Sequence, residues 1–201
     1  MDKILIVDDD VATRLLIAKM LKQLGEEMIV DRPESHFIFI LHSDNVYRGY
    51  NYINYKGKEL TNKEYLESWG KWVFFGTVEE LDALAKKIDP FVEQKVIPAA
   101  KYDREEIREF QLGECVMCVY CDVRQRDEIW HVLASLGVED KIWVFEKETM
   151  ERWLPGGHLL EKWIEGKNLG PAQADKVRAD AKKTFEKMFE DENAIFTGVT
   201  Q

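Results

Sequence analysis

The chain has 201 residues, 45% of them hydrophobic and 33% charged, with six Trp, seven Tyr, ten Phe and a net charge of -10. That length suits one core of about 100–200 residues plus some added material, and the apolar content excludes global disorder. The negative charge works against general nucleic-acid binding, which draws on Lys and Arg displacing phosphate counterions. No apolar run reaches the roughly 20 residues of a membrane helix, so no membrane association is expected.

Met1-Asp2-Lys3 precedes a short strand-like run instead of a signal peptide, and three clustered cysteines are not a secreted disulfide framework; both predict a cytoplasmic protein with reduced thiols. Lys3 to Val7 predicts a buried strand, followed by Asp8-Asp9-Asp10 and an amphipathic helix from Ala12 to Leu24 that Gly25 ends. Residues up to Pro33 read as a linker, dividing the chain into a βα segment at 1–33 and a main domain at 34–201. His36–Leu41 and Asn51–Tyr55 predict strands, with Lys56-Gly57-Lys58 as a turn. Thr61 with Glu64 opens a helix through Leu66, and Thr77 with Glu80 opens another whose Leu81, Leu84, Ala85 and Ile88 share a face. Trp72–Phe75, between them, predicts a buried strand.

Asp89-Pro90 predicts the end of the second helix, because proline lacks the N–H and clashes with the preceding turn. Lys95–Ala100 then predicts a short strand and Glu105–Phe110 a helix. Cys115–Cys121 is nearly unbroken apolar sequence and predicts a central strand. Ile129, Val132, Leu133 and Leu136 mark a helix that Gly137 ends, and Ile142–Phe145 predicts a strand. Past Thr149 the chain reads as helical. Trp153 and Leu154 lead into Pro155-Gly156-Gly157, Leu159–Ile164 makes a short helix, and Pro171 starts a longer one with Val177, Ala181, Phe185 and Met188 inside. Residues from Asp191 read as extended.

MDKILIVDDDVATRLLIAKMLKQLG at the start of the chain resembles the first βα unit of a response-regulator receiver. That resemblance implies that Asp8 and Asp9 would help hold a Mg²⁺ ion, whose preference is for hard oxygen ligands. The rest of a receiver, an isolated Asp after a later strand and a Lys-Pro pair near a closing strand, is missing. The alternative for these aspartates is to solvate the strand end and favour the helix N-terminus.

GKWVFFGTVEELDALAKKI, IPAAKYDRE, CVMCVYCDVRQRDEIWHVLASLGV and KIWVFEKETMERWLPGG, in that order, resemble the Bles03-like family, whose members are described as phosphothreonine lyase domain-containing proteins. The resemblance implies an α+β fold, a curved, mainly antiparallel sheet with helices on one face, similar to the cap-binding translation initiation factor. It also implies a phosphorylated small molecule or peptide as partner and no cofactor. The compact Lys-x-His strand motif of well-studied phosphothreonine lyases is absent.

Elimination of phosphate needs a base, an acid and cations around the anion. Lys101, beside small apolar residues at a strand end, is the candidate base, since partial desolvation would lower its pKa. His158, after Pro-Gly-Gly, is the candidate acid, and Arg48, Arg124, Arg126 and Lys147 are the candidate anion-binding residues. For each, the alternative is a surface charge paired with one of the many carboxylates, worth about 0–1 kcal/mol. Trp69 and Trp153, expected to flank loops, are candidates for stacking on a nucleobase, while Trp72 and Trp143 read as core. His36 and His131 have apolar neighbours and are expected to pack. Cys115, Cys118 and Cys121 spell C-x-x-C-x-x-C, but strand alternation turns Cys118 away from the other two, which lie about 20 Å apart, so no metal site is expected. Three readings stay open: a phospho-ligand domain with or without lyase activity, a non-catalytic module for a nucleotide or RNA end, and a degenerate receiver.

Overall fold

A computed structural model of the chain describes residues 35–44 and 51–196. The expected βα segment at 1–33, with Asp8 and Asp9, lies outside the described residues, as does Arg48. Strands β1 (Phe37–Leu41), β4 (Trp69–Gly76), β5 (Ala99–Asp103), β6 (Cys115–Asp122) and β7 (Trp143–Phe145) form an open sheet in the order β1-β5-β6-β4-β7. Every neighbouring pair is antiparallel, as expected of the α+β architecture, with the Cys115–Asp122 strand at the centre, but helices cover both faces where one was expected. A separate hairpin joins β2 (Asn54–Tyr55) to β3 (Lys58–Glu59). Its turn residues Lys56 and Gly57 both have positive φ, the conformation that matches the twist of two-residue hairpins.

The helices are α1 (Asn62–Ser68), α2 (Val78–Glu93), α3 (Arg126–Ser135), α4 (Glu146–Arg152), α5 (His158–Gly166) and α6 (Pro171–Glu190). Both capping boxes form. The Thr61 hydroxyl accepts from the Glu64 N–H at 3.2 Å while the Glu64 carboxylate accepts from the Thr61 N–H at 2.9 Å, and Thr77 with Glu80 repeats this at 3.3 and 2.9 Å. Each cap is worth about 1 kcal/mol.

Helix α2 continues through Pro90 to Glu93, where the sequence predicts a stop. Proline removes one hydrogen bond to the Lys86 carbonyl, but Lys86 is exposed and water can take its place. A mid-helix proline costs about 3 kcal/mol. Burial of Val92 and partial burial of Phe91 against the core, at about 1.5–3 kcal/mol for a fully buried side chain, offset that. The predicted strand at Lys95–Ala100 instead starts at Ala99, after the positive-φ turn residue Lys95 and Pro98, and runs to Asp103. Glu105–Phe110 yields only a single 3₁₀ turn at Arg108–Phe110. Helix α4 begins at Glu146, directly after β7, earlier than expected.

Strand alternation divides the interior. One face of the sheet, with Trp72, Phe74, Ala100, Tyr102, Met117 and Val119, packs on Leu81, Ile88 and Val92 of α2 and on Ile129 and Leu133 of α3. Cys115 and Cys121 belong to this core, and Cys118 points to the other face, as the alternation predicts. That second face is not bare: Tyr120 joins a cluster with Leu66 of α1, Met150 of α4 and Phe185 and Met188 of α6. The segment from Ala194 to Phe196 folds back onto it, the Phe196 N–H donating to the Leu60 carbonyl and the Asn62 N–H to the Ala194 carbonyl, both at 2.9 Å.

Candidate functional site

Register determines what the second face carries. Phe39, Lys101, Cys118 and Val73 lie in one cross-strand row, and Leu41, Ala99, Tyr120 and Lys71 in the next. Directly opposed residues share a face, so two lysines stand in adjacent rows on the side turned away from α2 and α3. A cavity of about 600 Å³ opens over this face. Phe37, Tyr52, Tyr65, Trp69, Tyr120 and Trp153 supply its aromatic lining, and Lys101 and Glu146 its charged groups.

The Lys101 Nζ sits 3.8 Å from the Phe37 ring centroid and 6.0 Å from that of Tyr120. Burial pulls its pKa below the ordinary lysine value, and the nearby Lys71 charge adds to the effect, while Cys118, Glu146 and Asp103 oppose it without cancelling it. Lys71 is 8% exposed and forms an ion pair with Glu146 at 2.6 Å. Burial also acts to neutralise Lys71, but Glu146 and Cys118 together more than offset it and raise the pKa. The Tyr65 hydroxyl donates to the second Glu146 oxygen at 3.4 Å. One face therefore holds an amine biased towards neutrality beside one held as a cation, the separation of pKa values that acid–base sites use. Burial pushes up both the Cys118 thiol and the Tyr120 phenol, so both stay protonated near neutral pH.

Among the sequence-derived candidates, Lys101, Trp69 and Trp153 line the cavity. Trp69 is the first residue of β4 and 1% exposed instead of flanking a loop, its ring stacked on Tyr65 at 6.4 Å. Trp153 follows the last residue of α4, half-buried, its ring edge-on to Phe110 at 5.9 Å. Arg124, Arg126, Lys147 and His158 are not among the lining residues, so the expected cluster of cations around Lys101 does not form. Arg124 leaves β6 on a 3₁₀ turn, donates to both Asp122 carboxylate oxygens at 2.7 and 2.5 Å and lies 3.7 Å from the Tyr55 ring centroid. Arg126 pairs with Asp127 at 3.1 Å. Lys147 is exposed in the first turn of α4, and His158 is the exposed first residue of α5. His131, expected to pack, is exposed with its Nδ1 2.6 Å from the Asp127 carbonyl, while the half-buried His36 lies 3.8 Å from Asp103 and lines the cavity.

Sequence reasoning missed Lys71 and Glu146. A lysine inside the apolar run Trp69-Gly-Lys-Trp-Val-Phe-Phe was the available signal, since a lysine is almost never buried without a partner. Among the described residues no group of three or more His, Cys, Asp or Glu is placed to hold a metal ion, and no helix is long and apolar enough to cross a membrane. No protein-family model, curated protein or solved structure matches the chain.

Proposed function

We propose that the cavity binds a small ligand carrying a single phosphate on an aromatic or apolar body, with Lys101 supplying the counter-charge. The observation that carries this reading is the Lys101 ammonium inside an aromatic-lined cavity of about 600 Å³. A bound anion would restore the charge that burial disfavours, so ligand and ammonium stabilise each other. Lys71 and Glu146 compensate one another at 2.6 Å, and Lys101 is the one lysine or arginine among the lining residues, which suits a phosphomonoester better than a polyphosphate. The Bles03-like resemblance points to phosphothreonine, and the half-buried Trp153 on the wall favours a nucleoside monophosphate as the second reading.

Elimination of phosphate from phosphothreonine would use Lys101 as the base. His158, the expected acid, is not among the lining residues, so binding is the better supported half of the reading. The test is a tryptophan-fluorescence titration with a phosphothreonine peptide, its unphosphorylated form and guanosine monophosphate, with mass spectrometry for loss of phosphoric acid. Saturable quenching that needs the phosphate and disappears in Lys101→Met is expected. No phosphate-dependent quenching by either ligand would end the proposal.

A further inference from the structure

The same face carries a second chemistry, independent of any phosphate. A lysine becomes a nucleophile when its amine is neutral at working pH, and enzymes achieve this by desolvating it in an apolar pocket or by placing another cation beside it. Lys101 has both. Phe37 and Tyr120 ring its Nζ at 3.8 and 6.0 Å, and Lys71, from the adjacent row, is fixed as a cation by Glu146. The cavity in front of it is large enough for a ring-sized reactant. We propose that Lys101 is a nucleophilic amine that captures an aldehyde or ketone with an aromatic or apolar body as a covalent imine.

The Nζ lone pair attacks the carbonyl carbon, a C–N bond forms, and the carbonyl π pair moves to oxygen. Both amine hydrogens then leave with that oxygen as water, giving the C=N bond; nothing is oxidised or reduced. The aromatic walls select for a planar or apolar substituent. The groups that set the Lys101 charge are Lys71 on β4, Cys118 on β6, Asp103 on β5 and Glu146 on α4. Cys118 does not compete, because burial holds its thiol protonated.

The experiment uses the full chain, benzaldehyde and sodium cyanoborohydride, which traps imines as stable amines, with peptide mapping to read the rate at each lysine over a pH series. A lowered pKa enlarges the neutral fraction of an amine at neutral pH. Lys101 is therefore expected to label several-fold faster than the exposed Lys147, with its rate rising at lower pH. In Lys101→Arg, the fast site disappears and the remaining lysines label as before. Labelling of Lys101 no faster than Lys147 in the unmodified protein would overturn the proposal, and that comparison requires no variant to fold. Benzaldehyde carries no phosphate, so this result and the fluorescence titration succeed or fail separately.

Discussion

The ion pair between Lys71 and Glu146 gives the sharpest test of the cavity's construction. The two side chains are 10% and 8% exposed and 2.6 Å apart, so removing either strands a charge away from water. Breaking such a pair typically costs about 3–5 kcal/mol, whereas replacing both partners by apolar residues is often neutral or stabilising. Glu146→Leu and Lys71→Met should therefore each cost about 3–5 kcal/mol, and Lys71→Met/Glu146→Leu much less than their sum. At about 2–4 °C per kcal/mol for a chain of this size, each single change lowers Tm by roughly 6–20 °C. Urea unfolding of the four proteins gives the coupling energy directly.

The pH dependence adds a second reading of the same pair. In the intact protein the Lys71 pKa is raised above 10.5, so its stabilising contribution is complete below that value and is lost as pH rises through the folded value. In Glu146→Leu burial of Lys71 loses its main counterweight, so the penalty should shrink with rising pH as the amine loses its proton. Single changes costing under about 1 kcal/mol, the value of an exposed pair, would refute the desolvated geometry.

Lys101→Met should raise Tm at neutral pH, because the folded chain disfavours the charged amine; its lowered pKa means the gain shrinks as pH approaches the ordinary 10.5, and thermal scans across pH would expose the opposite trend. Gly70→Ala should cost about 1–3 kcal/mol, since a Cβ there would run into the Trp143 indole and the Val144 carbonyl; an unchanged urea midpoint would mean β7 does not pack as described. Glu161 is held down to about 2 by hydrogen bonds from Arg178 and then from the Gly156 N–H, so the contribution of this contact is complete above 4.5 and is lost as pH falls towards 2. Carboxyl NMR should follow that titration, and Arg178→Met should move it back towards 4.5.

Local chemistry was legible where the deciding partners are neighbours in sequence. The two Thr-x-x-Glu boxes carry both halves of their hydrogen bonds within four residues, and the Cys115–Cys121 run shows its burial and its alternation directly. Pro90 was misread because the contacts that hold the last turn of α2, those of Phe91 and Val92, come from the sheet. The site was legible in one residue. Small apolar neighbours marked Lys101 as desolvated, but its relation to Lys71 depends on the register of β4, β5 and β6, which no local pattern reveals. Arg124 and Arg126 follow the central strand, but their guanidinium groups bond to carboxylates within two residues of themselves.

The two faces of one sheet argue that the cavity is functional. Against α2 and α3 the strands present Trp72, Phe74, Ala100, Tyr102, Met117 and Val119, an apolar set apart from the Tyr102 hydroxyl and the Trp72 indole N–H. The same strands, read one residue out of phase, place Lys71 and Lys101 where the topology would equally accommodate leucine. A buried leucine at either position would contribute about 1.5–3 kcal/mol, while a buried amine must be desolvated and compensated. Nothing in the sheet's hydrogen bonding requires a charge there, because backbone pairing is indifferent to the side chain. Stability forgone on one face only, and at adjacent cross-strand rows beneath a cavity, is the pattern that binding or chemistry leaves when it overrides packing.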